Sequence, residues 1–333
     1  MATIKDVAEK AGVTVTTVSR VLNNRGYISD ATRNKVRLAM EELQYQPNEI
    51  ARSLMRKRSM MLGLIVPTIA HPFFGQWAYS LETHASARGY KILLCNSRLD
   101  EAKEKDYIDM LKSNRVDGII MGSHTIDVRE YIHLGKPIVT FDRRIEAIPC
   151  VSSDNYQGGV LAAEHLAAKG CRSIAHICGN LKLDMLGNRR TEGFVDSLRK
   201  YGLEPIVVQL GADAFDPAEH EQVVGSLLSE HPEVDGLFVS SDMIAYQVMK
   251  VCAAKGIRIP EQLQLIGYDD IPISEWITPG LTTIKQPIEE MSRLAFNIIE
   301  KLIEGEGAEL PLEHVLPVRL IERQTTRQPG LLG

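Results

Sequence analysis

The stretch AGVTVTTVSRVLN, Ala11 to Asn23, decides how this chain is read. Gly12 permits a sharp turn that a β-carbon would resist. Thr14 is a residue type that caps a helix start, and Val15, Val18, Val21 and Leu22 then recur on one helical face. Upstream, Ile4, Val7, Ala8 and Ala11 follow the i, i+3, i+4, i+7 spacing of a first helix, with Thr3 as its cap. Downstream, Ser29 precedes a third helix in which Val36, Ala39, Met40 and Leu43 repeat the spacing, and Pro47 is expected to end it. Three short helices around a small apolar centre, with a glycine turn between the first two, fit a helix-turn-helix unit. An ordinary helical hairpin fits the same pattern.

The second helix offers the chemistry that a DNA major groove accepts. Thr16 and Arg20 are suited to hydrogen-bond base edges, and Val15 to touch a thymine methyl. Thr17, Ser19 and Asn23 suit phosphate contacts, which position a protein without reading sequence. Thr3, Thr14 and, further on, Asn48 complete the candidate DNA contacts. Charge points the same way. Residues 1–58 hold eleven Lys/Arg against six Asp/Glu, and the remainder holds 27 against 37, so a head of +5 sits on a body of −10 within a net charge of −5. A basic head directs itself at a polyanion, although a solvated basic surface is the plainer alternative. The segment after Pro47, PNEIARSLMRKRS, is too short to hold a helix alone. Its basic residues suit phosphates, and Leu54 suits a wedge between base steps. It is expected to be a linker when free and a helix when two copies meet on DNA.

From Leu62 the pattern changes. LGLIVP, YKILLCNS, VDGIIMGS and PIVTFD read as buried parallel strands, with helices between them over 73–89, 100–114 and 126–134. ARGYKILLCNS followed by VDGIIMGS is loosely repeated as KYGLEPIVVQLG followed by VDGLFVSSD, which predicts two similar α/β lobes with a cleft between them. Ligands in such sheets bind beyond the carboxyl ends of strands. The candidates there are His71, Pro72, Phe73 and Phe74 after the first strand, then Asp142 and Arg143, Asp154 and Asn155, Ser241 and Asp242, and Asp269 and Asp270 at later strand ends. Arg190 opens a helix, and Phe215 and Trp276 lie in loops. Carboxylates and a guanidinium suit sugar hydroxyls, while an aromatic face covers the C–H side. Phe73 and Phe74 equally fit a core role, and Asp117 and Asp235 fit turns better than ligand.

A chain of 333 residues with 44% hydrophobic content accommodates two or three globular domains. Its five cysteines lack metal spacing and read as buried thiols of a reducing cytoplasm. No apolar run approaches the ~20 residues of a membrane span, and no export signal opens the chain. No cofactor or metal is expected, since phosphate-loop and dinucleotide motifs are absent.

IKDVAEKAGVTVTTVSRVLN with TRNKVRLAMEELQYQPNEIARSL resembles the head and hinge of the LacI/GalR family of bacterial repressors. The body, with SSDNYQGG, RRTEGF, GYDD and PGLTTIKQP, resembles that family's effector domain, itself similar to periplasmic sugar-binding proteins. HPFFG, FDRR and SSDNYQGG together look most like the sucrose- and ribose-operon repressors of Gram-positive bacteria. The resemblance implies that Val15, Thr16 and Arg20 read the operator, and that Leu54 of each subunit enters the minor groove with Ala51 and Arg52 beside it. It also implies that Arg190 and Asp269 grip the ligand, that Phe215 stacks on it, and that Asp142, Ser241 and Phe73 line the pocket. Asp184 departs from the purine-binding branch, which argues against a purine effector.

The expected architecture is therefore an all-α head over 1–46, a hinge helix over 47–58 and a two-lobed effector and dimerisation domain over 59–327. Its first lobe takes in about 59–158 and 288–317, its second about 159–287 and 318–327, with crossings near Gly158, Pro287 and Val318 and a frayed tail over 328–333. The expected function is a homodimeric repressor of a sugar-utilisation operon, bound to near-palindromic double-stranded DNA and switched by a sugar or sugar phosphate. One alternative is a broad catabolite regulator that uses a phosphorylated protein as co-repressor. A free sugar-binding transport protein would have no use for residues 1–58. A sugar-processing enzyme would need a carboxylate pair such as Asp154 and Asp269.

Overall fold

The computed structural model describes residues 2–23, 25–46, 58–123, 135–145, 147–182, 185–211 and 215–327. The chain divides into two compact units, Met1–Met60 and Met61–Gly333. The hinge positions Asn48, Ala51, Arg52 and Leu54, the helix expected over 126–134, Asp184 and the tail lie outside the described residues.

In the first unit, α1 (Ile4–Ala11), α2 (Val15–Leu22) and α3 (Asp30–Glu42) enclose a core of Val7, Ala8, Val18, Val36 and Ala39. Thr3 makes a capping box with Asp6: its hydroxyl accepts from the Asp6 N–H, and the Asp6 carboxylate accepts from the Thr3 N–H at 2.8 Å. Gly12 takes the left-handed conformation, φ 66°, that turns α1 toward α2. Thr14 and Ser29 cap the next two helices. Pro47, expected to end α3, lies outside the described residues, and α3 ends before it. The helix stops at Glu42, and Gln44 turns left-handed at φ 48°, with its N–H bonded to the Glu41 carbonyl. The Tyr45 N–H bonds back to the Met40 carbonyl at 2.9 Å and its ring packs against the core, so a left-handed turn closes the helix end.

The second unit contains two six-stranded sheets. The first holds β1 (Met61–Val66), β2 (Lys91–Asn96), β3 (Gly118–Met121), β4 (Ile138–Phe141), β5 (Cys150–Ser153) and, late in the chain, β11 (Glu313–Leu316), all parallel, in the order β11-β5-β4-β3-β1-β2. Helices α4 (Pro72–Ala87) and α5 (Glu101–Ser113) connect its first strands. The expected strands are present, but β2 is half exposed, with Leu94 48% accessible, because it forms the edge of its sheet.

The strands of the second sheet are β6 (Ile174–Cys178), β7 (Ile206–Gln209), β8 (Gly236–Val239), β9 (Gln264–Asp269), β10 (Thr282–Lys285) and the antiparallel β12 (Arg319–Ile321). They run in the order β12-β10-β9-β8-β6-β7. Helices α6 (Asn155–Ala168), α7 (Arg189–Lys200), α8 (Pro217–Glu230), α9 (Asp242–Lys255) and the short α10 (Ile273–Trp276) accompany them. Helix α11 (Ile288–Glu304) returns to the first sheet, which it covers with Met291, Ala295, Phe296, Ile298 and Ile299. The chain thus passes from one sheet to the other between β5 and α6, between β10 and α11, and between β11 and β12. All five cysteines are buried and free. Burial pushes the Cys171 thiol up to about 12 and those of Cys95, Cys150 and Cys252 to about 11, so they stay protonated.

Candidate functional site

The carboxyl ends of the parallel strands converge on a cavity of about 190 Å³ between the two sheets. Two strand ends carry unusual backbone: Asp142, just past β4, sits at φ 56°, and Asp269, the last residue of β9, at φ 118°. Non-glycine residues rarely hold such angles, and they do so where the surrounding structure over-determines them. Both aspartates line the cavity.

Arg190, near the start of α7, faces them. Its Nε donates to Asn155 Oδ1 at 2.6 Å, its Nη1 donates to the Ser240 carbonyl at 2.9 Å, and its Nη2 lies 3.8 Å from Asp142 Oδ2. The guanidinium stacks 3.6 Å above the ring of Tyr268, a short cation–π contact. Asn155 ties the set together, because its Nδ2 donates to Asp142 Oδ1 at 2.7 Å. On the far wall, Gln286 Nε2 donates to Asp269 Oδ1 at 2.8 Å. Burial raises the pKa of both aspartates. Arg190 opposes the rise at each, and the neighbouring carboxylate of Asp242 adds to it at Asp269.

Close helix packing fixes Arg190. A β-carbon on Gly159 of α6 would lie 1.9 Å from the Arg190 carbonyl oxygen, and one on Gly193 of α7 would lie 2.1 Å from the Tyr156 carbonyl oxygen. Beneath the helix, His176 Nε2 meets the Thr191 hydroxyl at 3.0 Å and its Nδ1 meets the Phe238 carbonyl at 3.0 Å. A carbonyl only accepts, so Nδ1 carries the proton and Nε2 accepts from Thr191. Burial pulls the His176 pKa down to about 4, in keeping with that neutral form.

The apolar wall is a trio of rings. His71 lies 5.9 Å from Phe74 and 5.7 Å from Phe215, and Phe74 lies 5.9 Å from Phe215, each pair edge to face. Phe73 is 8% exposed and also borders the cavity, so it serves core and pocket together. His71 caps α4 through Nδ1, which accepts from the Phe73 N–H, and burial lowers its pKa to about 4.

The cavity brings together Phe73, Phe74, Asp142, Arg190, Phe215, Ser241 and Asp269. Other candidates are not there. Asp154 caps α6, its Oδ1 accepting from the Gln157 N–H at 3.0 Å, and borders a separate recess. Asp242 is fully buried behind the wall, where its carboxylate accepts from Ser274, Thr283 and the Ile271 N–H. Trp276 is 75% exposed and lines no part of the cavity. Asp235 serves a turn, accepting from the Arg172 and Ser173 N–H groups. Gln286, Tyr268 and His176 were not anticipated, because their roles depend on which strands lie side by side. Asn155, a strand-end candidate beside Asp154, joins the site through Asp142 and Arg190. A wider groove of about 930 Å³ runs along α4 and the crossing segments, and Asp269 and Gln286 border it from the other side.

In the head, Val15 (40% exposed), Thr16 and Arg20 are presented to solvent on α2. Val15 stands outside the core it was expected to share with Val18. Thr14 and Thr17 hydroxyls bond each other at 2.9 Å, and Asn23 Nδ2 donates to the Ser19 carbonyl at 2.8 Å, so these side chains hold α2 in shape. Thr3 is likewise engaged in its capping box. Tyr27, 99% exposed in the turn after α2, carried no sequence signal. Among the described residues no His/Cys/Asp/Glu cluster has metal-binding geometry, and no helix is long and apolar enough to cross a membrane.

The model of the bacterial regulatory proteins of the lacI family matches residues 3–48, and that of the periplasmic binding protein-like domain matches residues 163–326. The ribose operon repressor of Halalkalibacterium halodurans is 41% identical over 328 residues, 98% of each chain. A periplasmic binding protein/LacI transcriptional regulator from Alkaliphilus metalliredigens QYMF, solved in complex with D-xylulofuranose, is 37% identical, with TM-score 0.75 over 81% of this chain and 100% of that one. The lac repressor dimer bound to operator and an anti-inducer is 28% identical, with TM-score 0.85 over 98% and 99% of the two chains.

Proposed function

The chain belongs to the LacI family of bacterial regulatory proteins, and we propose that it is a homodimeric transcriptional repressor of a sugar-utilisation operon, gated by a sugar bound between its two lobes. The observation that carries this reading is the pairing, in one chain, of a helix-turn-helix head with a cavity in which Asp142, Asp269 and Arg190 face an aromatic wall. Carboxylate acceptors, a guanidinium donor and an aromatic face are the groups that hold a polyol. The xylulofuranose complex of one relative and the operator complex of another support the two halves of the reading.

In this proposal two heads, over 1–46, bind adjacent half-sites of a near-palindromic operator in the cytoplasm, as two-fold symmetry requires. Val15, Thr16 and Arg20 read bases. The segment 47–58, with Asn48, Ala51, Arg52 and Leu54, orders on DNA and places Leu54 in the minor groove. The body, over 59–327, supplies the dimer contact and the effector site. A ligand that binds one lobe arrangement better than the other changes the separation of the two hinges, and with it operator affinity. The role is binding rather than catalysis.

The test is operator binding by the full chain, measured by fluorescence anisotropy with and without a panel of sugars. A shift of roughly 5–150-fold is expected for the cognate sugar: weakening identifies induction and tightening identifies co-repression. Unchanged affinity with every sugar would sink the effector reading.

A further inference from the structure

Asn155 opens α6 at the point where the chain leaves the first sheet for the second, and it is buried, 3% exposed. The two ends of its amide face different lobes. Nδ2 donates toward the first sheet, to Asp142 Oδ1 at 2.7 Å and to the carbonyl of Ser153, the last residue of β5, at 3.2 Å. Oδ1 accepts from the side of the second sheet, from Arg190 Nε of α7 at 2.6 Å and from the Tyr268 hydroxyl of β9 at 3.4 Å. Chemistry fixes this orientation: a guanidinium only donates, so a reversed amide would set donor against donor.

The surroundings mark the same place as the pivot. The Tyr268 hydroxyl lies 3.5 Å from Ser153 Oγ, and a β-carbon on Gly158 would lie 2.7 Å from the Tyr268 ring. The third crossing runs alongside, with the Asp154 N–H donating to the Leu316 carbonyl at 2.8 Å. Asn155 does not itself line the cavity. A lobe rotation that lengthens either of its shorter bonds by about 1 Å breaks that bond, and a buried amide with one end unpaired is unfavourable.

We propose that Asn155 is a positioning residue that staples the two lobes together. It stabilises the arrangement in which Arg190 and Asp142 stand side by side at the cavity, and so makes ligand affinity depend on lobe angle. Severing it leaves every cavity-lining side chain present but lets the lobes part, which lowers the population of the arrangement competent for ligand. The link to ligand affinity rests on the sugar-effector reading, whereas the staple between the lobes does not.

The experiment has two arms. In the first, the effector-free full chain carries spin labels at cysteines introduced by Asp106→Cys on α5 and Gln222→Cys on α8, diluted with unlabelled chain, and pulsed electron paramagnetic resonance reads the distance between the lobes. The native thiols are buried and do not compete for label. Asn155→Ala is expected to broaden the distribution toward longer distances. Asn155→Ser, whose hydroxyl is too short to reach both lobes, does the same and serves if the alanine variant folds poorly. Asp154→Ala, which removes only the cap of α6, is expected to lose stability yet keep the wild-type distribution. An unchanged distribution in the Asn155 variants, or equal broadening in Asp154→Ala, overturns the staple. In the second arm, D-ribose, D-fructose, D-glucose and sucrose are titrated by calorimetry into the chain. The sugar that shifts wild-type operator affinity is expected to bind Asn155→Ala roughly tenfold more weakly, as when the competent arrangement falls to a tenth of its population. Wild-type affinity in that variant overturns the positioning role. If none of these sugars shifts operator affinity in the wild type, the sugar-effector reading has failed for them, and the first arm alone decides the staple.

Discussion

Asp142 and Asp269 illustrate what a single position contributes. Asp142 follows β4 and Asp269 ends β9, both in left-handed backbone, and both line the cavity. Strand-end placement made both legible from sequence, as did the helix start at Arg190. His176 shows the opposite case. A histidine within an apolar strand gives no hint of what it will meet, yet it is fully buried between Phe238 and Thr191 and steadies the start of the helix that carries Arg190.

Its titration is testable. The folded pKa of about 4 lies below the ordinary 6.5, so the native state binds fewer protons than the unfolded chain between those values. The stability that neutral His176 contributes is therefore present above pH 6.5 and is lost as pH falls toward 4. Wild-type protein should lose on the order of 2–3 kcal/mol through this group across that window. In denaturant unfolding, His176→Gln should be less stable than wild type at pH 7 and close most of that gap at pH 4.5. A gap that stays constant with pH would refute the assignment.

Elements are held by contacts of differing reach. The capped starts of α1, α2 and α3 are local, which is why the head could be laid out from spacing alone. Pro47 is a conspicuous breaker, but α3 ends earlier, at Glu42, where Gln44 turns left-handed and Tyr45 folds back onto the core. The pairing of α6 with α7 has no local signature. Gly159 and Gly193 bring the two backbones close enough to fix Arg190, and only the partner helix explains either glycine.

Gly159→Ala should accordingly destabilise the protein by about 3 kcal/mol, since the added methyl meets backbone that is unable to rotate away. It should also weaken effector binding as Arg190 shifts. Gly225→Ala, in the interior of α8 with open space around the added methyl, should instead be neutral or stabilise by up to ~1 kcal/mol. Chemical denaturation and calorimetry of both variants distinguish close packing from a generic cost of substitution.

At the scale of the molecule, the head and the body are separate compact units with separate cores. Unfolding is then not a single two-state event. Differential scanning calorimetry of the full chain should give two transitions, of which only the body's rises with effector, by roughly 2.7 kcal/mol of stabilisation at a hundredfold excess over Kd. A single transition that moves as a whole would mean that the two units unfold together.

The sequence by itself determined the three-helix head, the residues that α2 presents to solvent, the alternation of strands and helices in the body, and the strand ends at which the candidate site lies. All of these rest on interactions within a few residues, which spacing and capping patterns report directly. Only the tertiary structure decided which strand ends share one cavity. Asp154 and Asp242 occupy strand ends as promising as those of Asp142 and Asp269, yet one caps a helix and the other is sealed behind the wall. Gln286 reaches Asp269, and Asn155 joins Asp142 to Arg190, because the chain crosses between the sheets at those positions. Contacts made across that distance in sequence leave no periodicity to read.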